Sequence, residues 1–246
     1  MSVSQFKRFI DCEARTMAEL KGEYMEPTSQ AMLVGSYTHA ALESDYEFNK
    51  FIEENNSVMF KKNGGKYAPF ETADLMIETI KNDPFAMFAL EGKKEQIFTG
   101  ELFGVEWKIK VDSTNSEKRI FTDLKTTGDL HGRSWSDKYG GWVSFVEQWG
   151  YVLQMAIYRK IIEQNTGQLY TPYIVAVTKE NPPNKAVIHF DESRFDFEYE
   201  YVELEMERIK QVKAGELEPR RCGKCTYCRS VKQLKGTIEV GELIYD

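Results

Sequence analysis

The chain is short of several things that would define its class at once. No window comes near the roughly 20 consecutive apolar residues that a membrane-spanning helix needs. The first residues, MSVSQFKRFIDCEART, have no apolar core of the kind a secretory signal carries. The expectation is a cytoplasmic protein with no membrane partner. No internal repeat and no low-complexity tract stands out. Basic residues are in deficit, with 32 Lys and Arg against 39 Asp and Glu and a net charge of −7. That balance argues against indiscriminate binding to nucleic acid. It leaves room for an enzyme acting on DNA, because acids that bind a metal count as negative until the metal arrives. Histidine and cysteine are scarce, at three and four residues, so each can be weighed individually.

What is present is enough for a globular core. Hydrophobic residues make up 41% of the 246 positions and charged residues 29%, which fits one large domain or a domain with an appendage. The central feature is Val105 to Thr127, VEWKIKVDSTNSEKRIFTDLKTT. Val105, Trp107, Ile109 and Val111 alternate with Glu106, Lys108, Lys110 and Asp112, the period of a half-buried strand. Arg119 to Thr126 reads as the next strand, with Phe121, Asp123 and Lys125 on one face and Ile120, Thr122 and Leu124 on the other. A turn at Glu117-Lys118 sets Asp112 opposite Asp123. A turn at the more turn-like Asn115-Ser116 sets it opposite Arg119 instead. Both registers are open.

Two facing carboxylates repel unless a cation compensates. Mg²⁺ and Mn²⁺ prefer oxygen donors and retain bound water. A lysine beside them can orient or activate that water, or neutralise charge at a transition state. The combination suits phosphodiester hydrolysis. Asp-x-Lys by itself is short, and an ordinary charged hairpin would also contain it.

Around this hairpin the periodicity predicts helices over residues 3–20, 29–53, 72–90 (interrupted at Asp83-Pro84), 142–165 and 193–214. Strands are predicted over 95–103, 170–179 and 186–190, with loops over 54–71 and 128–141. This order gives an α/β or α+β mixed sheet flanked by helices. His39 lies on the second helix among Gly35, Ser36, Ala40 and Ala41, a setting that permits close approach, and Glu43 shares its face. The 128–141 loop interleaves His131, Arg133 and Lys138 with Trp135 and Tyr139. Cations among aromatics suit a nucleic-acid path at the rim of the hairpin, although the same composition fits an ordinary loop. On the 142–165 helix, Glu147, Tyr151, Gln154 and Tyr158 form a hydrogen-bonding stripe that could line a cleft.

The C-terminal stretch holds Cys222, Cys225 and Cys228 at two-residue spacers, and the fourth cysteine is Cys12. In a cytoplasmic protein, disulfides are not expected. Four thiolates suit tetrahedral Zn²⁺ or an iron–sulfur cluster. A close-spaced triplet with one distant cysteine is the commoner pattern for a [4Fe–4S] cluster, and Zn²⁺ is the alternative. The expectation is one nuclease domain over 1–246, in which residues 1–20 and 215–246 form a cysteine-ligated clasp.

Taken in order, these elements resemble the PD-(D/E)xK nucleases of the RecB/RecE exonuclease type, and among them the phage and prophage proteins similar to exonuclease VIII. The resemblance rests on His39 in GSYTHAALE, Asp112 in WKIKVDS, Asp123 and Lys125 in FTDLKTT, and Gln154 and Tyr158 in YVLQMAIY. It covers essentially the whole chain. It implies a central mixed sheet with helices on both faces and metal-dependent hydrolysis of linear DNA. By that resemblance His39, Asp112, Asp123 and the main-chain carbonyl of Leu124 hold Mg²⁺ or Mn²⁺, and Lys125 positions or activates water. Gln154 and Tyr158 contact DNA, with Arg133 and Lys138 as further DNA-binding candidates. Several relatives, AddB-like and CRISPR-associated, hold an iron–sulfur cluster through one early and three late cysteines. Two departures stand out. Val111 occupies a position where proline is frequent, and the last cysteine spacing is shorter than usual. The implied partners are double-stranded ends or single strands of DNA, with a single-strand annealing protein and a homo-oligomeric ring as further expectations. The alternatives are a catalytically inactive DNA-binding or adaptor protein of the same fold, or a CRISPR-associated or restriction-type nuclease.

Overall fold

The computed structural model describes residues 1–234 and 236–243. The chain divides into two compact units. The first comprises Met1–Val3 and Pro27–Leu204; the second comprises Ser4–Glu26 and the described residues from Glu205 on.

In the order of the chain the elements are α1 (Val3–Asp11), α2 (Glu13–Leu20), α3 (Gln30–Glu43), α4 (Asp45–Met59), α5 (Ala68–Lys81) and α6 (Pro84–Ala89). Three strands follow, β1 (Lys93–Leu102), β2 (Val105–Asn115) and β3 (Ile120–Thr127), then a short pair, β4 (Arg133–Ser136) and β5 (Gly141–Ser144). The chain continues through α7 (Phe145–Gln148), α8 (Tyr151–Thr166), β6 (Thr171–Thr178), β7 (Lys185–His189), α9 (Ser193–Ala214) and α10 (Thr226–Ser230).

The first unit is built on a five-stranded mixed sheet in the order β1-β2-β3-β6-β7. Only β3 and β6 run parallel, and α7 and α8 supply the crossover that a parallel pair requires. The alternation in β2 is realised as expected: Trp107, Ile109 and Val111 are buried between exposed Glu106, Lys108 and Lys110. Trp107 and Phe121 have no exposed surface, and truncating either to alanine costs roughly 3–5 kcal/mol. Helices cover both faces. Leu124 joins Val175 and Val177 in a core with Val34, Tyr37, Phe70 and Met76 from α3 and α5. Its neighbours Phe121 and Asp123 point the other way, toward Tyr158 and Gln154 of α8.

Several predicted boundaries move. The 3–20 helix is two helices broken at Cys12, which is extended at φ −168° and ψ 104°. The 29–53 helix breaks at Ser44, whose hydroxyl accepts the N–H of Glu47 and starts a new helix that runs on to Met59, into the predicted loop. A short polar side chain that caps a helix competes well with continuing one. Asp83 does the same before Pro84, accepting from Phe85 N and Ala86 N at 3.0 and 2.9 Å, which confirms the predicted interruption. The predicted 142–165 helix gives up its start. Gly141–Ser144 pairs with Arg133–Ser136 as a hairpin inside the predicted 128–141 loop, and Gly150 in the left-handed region separates α7 from α8. Apolar spacing at Trp142, Phe145 and Val146 matched a helix, but it could not register this break.

The second unit contains α2 and α10, the early part of the chain and the stretch after Leu204. Glu13 on α2 accepts from Nε and Nη2 of Arg208, at 2.7 and 2.9 Å, and from the backbone N–H of Arg220 at 2.7 Å. These bonds tie the N-terminal segment to the stretch leading into the late cysteines. Among the described residues, no helix is long and apolar enough to cross a membrane.

Candidate active site and cysteine cluster

The β2–β3 pairing settles the register. Ser113 pairs with Thr122, Thr114 with Phe121 and Asn115 with Ile120. The turn therefore centres on Glu117-Lys118, and one further step sets Asp112 level with Asp123. The more turn-like Asn115 acts differently: its side-chain oxygen accepts the N–H of Lys118 at 3.1 Å, and Arg119 absorbs the strain at φ 52°.

Four elements bring the candidate residues together. His39 on α3 places Nδ1 3.3 Å from Asp112 Oδ2. That same Asp112 oxygen accepts the backbone N–H of Leu124 at 2.7 Å, so the strand next door fixes the carboxylate. Asp123, only 2% exposed, accepts a 2.7 Å hydrogen bond from Gln154 Nε2 of α8 on one oxygen. Its other oxygen is buried and forms an ion pair with the Lys125 ammonium. Lys125 in turn lies 4.8 Å from the Tyr151 ring centroid. Tyr158 packs against Phe121, the ring centroids 6.4 Å apart. The Tyr151, Gln154 and Tyr158 stripe thus faces β3, with Gln154 buried against the carboxylate.

The electrostatics set two carboxylates beside one buried ammonium. Burial, and then Asp112, push the Asp123 carboxyl upward, although Lys125 and His39 oppose them. Burial pulls on Lys125, but the Asp123 and Asp112 carboxylates more than offset it and hold the ammonium charged. Burial followed by the same two carboxylates raises the Tyr158 hydroxyl. A buried carboxylate, a second acid level with it and an imidazole beside them make an oxygen-rich donor set. It fits a hard divalent cation.

Three residues at this site lay outside the sequence reading or carried no role in it. His39, Glu43, Lys94, Glu95, Asp112 and Leu124 line one small cavity. Glu43 had been visible as the i+4 neighbour of His39. Glu95 had no signal. Lys94 pairs with Ser113 and Gln96 with Val111, so Glu95 stands opposite Asp112, one residue on each strand, with Glu95 at φ 54°. A residue other than glycine held in the left-handed region is strained backbone of the kind that gathers at functional sites. The Glu95 carboxylate forms an ion pair with Lys110. Burial lowers the Lys94 ammonium, and its nitrogen donates to the Leu90 carbonyl.

The two loop cations separate. Arg133 is exposed, with its guanidinium 4.9 Å from the Trp142 ring centroid, and Trp142 meets Trp135 edge-on at 6.1 Å. Lys138 faces inward. It pairs with Glu198, which is 1% exposed, under the rings of Tyr139 and Tyr201. That geometry gives Lys138 a structural partner instead of an open phosphate.

In the second unit the four cysteines converge. Their sulfurs all lie within 4.8 Å of one another, and all four are free of disulfides. Cys12 and Cys228 are buried, while Cys222 and Cys225 are partly exposed. Cys225 N donates to Cys222 Sγ at 3.3 Å and Cys228 N to Cys225 Sγ at 3.4 Å. Against the upward pull of burial, the N–H groups of Cys225 and Lys224 bring the Cys222 thiol down to about 6. Burial pushes Cys225 up to about 12.

A mixed sheet flanked by helices, with an acid and an Asp-x-Lys pair on adjacent strands, defines a PDDEXK-like domain. The chain belongs to the family described as PDDEXK-like domain of unknown function (DUF3799), whose model matches residues 2–231. It is similar in structure to a Eubacterium rectale protein named "Putative exonuclease", at 36% identity and a TM-score of 0.92 over 99% of this chain and 92% of that one. A second solved structure, SSO0001, covers 95% of this chain and 96% of its own at 16% identity. Its TM-score of 0.33 is too low to bear on fold or function. No curated protein matches the chain. The family and the first structural neighbour support a nuclease function.

Proposed function

We propose that the protein is a divalent-metal-dependent exonuclease acting on linear DNA. The observation that carries this reading is the convergence of His39, Asp112 and Lys125 from α3, β2 and β3 around the buried Asp123 carboxylate. His39, Asp112 and Asp123 would hold Mg²⁺ or Mn²⁺, with the Leu124 backbone alongside. Such an ion supplies a Lewis acid that polarises the phosphate and lowers the pKa of bound water.

The chain's own side chains do the rest. Gln154 orients the Asp123 carboxylate through its amide. The Leu124 N–H does the same for Asp112. Lys125 sits where it can position the attacking water or neutralise charge on the phosphate. Tyr151 stands beside Lys125 and Tyr158 beside Phe121 on the α8 side, and Arg133 offers a cation for the DNA backbone. DNA ends are the expected substrate. An annealing protein and a ring of copies are the expected partners, by analogy with relatives of the fold.

The test is digestion of end-labelled linear, nicked and circular DNA with Mg²⁺, Mn²⁺ or EDTA. The expected result is loss of linear DNA from its ends, with the metal required and circular DNA intact. Cleavage of circular DNA would convert the reading to an endonuclease. DNA binding without cleavage under either metal would overturn the enzymatic reading.

A further inference from the structure

The cysteine cluster carries an inference about its occupant that is separate from the nuclease reading. Sequence spacing favoured a [4Fe–4S] cluster, yet the sulfur positions fit it poorly. In a cubane each thiolate binds outward on its own iron, so four irons stand between the sulfurs. With metal–sulfur bonds of roughly 2.3 Å, the thiolates diverge to ~6 Å from one another. A single tetrahedral ion holds its four thiolates closer, about 3.8 Å apart for the same bond length. Here Cys12 Sγ lies 3.5 Å from Cys228 Sγ, and Cys222 Sγ lies 4.0 Å from Cys228 Sγ. All four sulfurs fall within 4.8 Å of one another. The sulfurs thus enclose room for one ion and not for a four-iron core.

The backbone agrees with that scale. The segment from Cys222 to Cys228 folds so that Cys225 and Cys228 each turn their N–H onto the sulfur three residues before, at 3.3 and 3.4 Å. Donors of this kind stabilise thiolates. Gly223, at φ 73°, allows the sharp start of the turn. Cys12 leaves the helical path between α1 and α2, and its sulfur reaches the buried Cys228. The Glu13 bonds to Arg208 and to Arg220 N hold the neighbouring backbone in place without the metal. Four soft donors at tetrahedral spacing with no open position describe a closed structural site.

We infer that Cys12, Cys222, Cys225 and Cys228 bind a single zinc ion in place of the iron–sulfur cluster, and that the site is a redox-inert clasp. Zinc has no accessible second oxidation state, so electron transfer plays no part in this unit.

The deciding experiment is metal and acid-labile sulfide analysis of full-length protein. Cells are grown with iron and zinc both supplied, and the protein is purified anaerobically and in air. The expected result is about one zinc per chain, no sulfide and no absorbance at about 400 nm in either preparation. The Asp112→Ala variant should retain that zinc, which separates the cluster from the nuclease site. The Cys225→Ser variant should lose it. Should Cys225→Ser fail to fold, cobalt substitution of the wild-type protein still decides: a tetrahedral tetrathiolate gives intense visible bands and sulfur-to-cobalt charge transfer. Brown anaerobic protein with stoichiometric iron and sulfide would overturn the inference. So would metal-free protein, or zinc that disappears with Asp112→Ala.

Discussion

The two units hold two donor clusters built on opposite chemical plans. In the first unit the donors are carboxylates and an imidazole, drawn from α3, β2 and β3 and restrained by hydrogen bonds from Leu124 and Gln154. In the second unit they are four sulfurs, three of them within a seven-residue run. Hard oxygen donors suit an ion that keeps water and exchanges ligands, which turnover requires. Soft thiolates at closed tetrahedral spacing suit an ion that stays. The difference teaches what each site is for. The oxygen site crowds two acids into the same space beside one ammonium, and Asp112 pushes the buried Asp123 carboxyl upward. The sulfur site turns backbone N–H groups onto two of its sulfurs and holds all four close together.

The contrast can be broken at several points. The largest effect is expected at the oxygen site. Asp123→Ala and Lys125→Ala should each lower metal-dependent digestion of linear DNA by roughly 10³-fold or more. Circular dichroism and zinc content should stay at wild-type values. Retained activity in both variants would remove the site assignment. At the sulfur site the signs reverse. Cys225→Ser should lower the unfolding temperature by roughly 10 °C, corresponding to about 3 kcal/mol in a chain of this size. Digestion by the molecules that remain folded should change by less than tenfold; a loss matching that of Asp123→Ala would mean that the clasp takes part in catalysis.

Smaller substitutions sharpen the comparison. Gln154→Ala removes the hydrogen bond that orients Asp123, so metal affinity or activity should fall roughly 10–100-fold. Manganese titration by electron paramagnetic resonance would show whether affinity carries the loss. Lys138→Ala leaves the buried Glu198 without its ion pair and should cost about 2 kcal/mol of stability, with little change in DNA affinity. Arg133→Ala should do the reverse. Its unfolding curve should match the wild type, while DNA binding weakens and the slope of log affinity against log salt drops by about one. If Lys138→Ala instead reduced that slope at unchanged stability, the lysine would be a phosphate contact.

The legible parts of the molecule were those governed by local rules. The Trp107, Ile109 and Val111 alternation and the Asp83-Pro84 break were readable because pleat period and helix capping are properties of neighbouring residues. The same is true of the Cys222, Cys225 and Cys228 triplet. Harder to read were the places where one local preference defeated another. Ser44 and Cys12 sit in sequences with helical spacing, and only the extended backbone at each shows that a cap or a sulfur position took precedence. Trp142 has helical periodicity and ends in a strand, because pairing with Trp135 is a contact between segments.

By itself, then, the sequence determined the strand faces, the pairing of an acid with a lysine two residues on, and the supply of four thiols. Those follow from bond geometry and residue type. Tertiary structure alone decided the turn at Glu117-Lys118, and with it the placement of Asp112 level with Asp123. It also decided the placement of Glu95 opposite Asp112, the inward turn of Lys138 to Glu198, and the distances among the sulfurs. Each of these depends on where distant backbone lies, and sequence spacing carries no length scale across space.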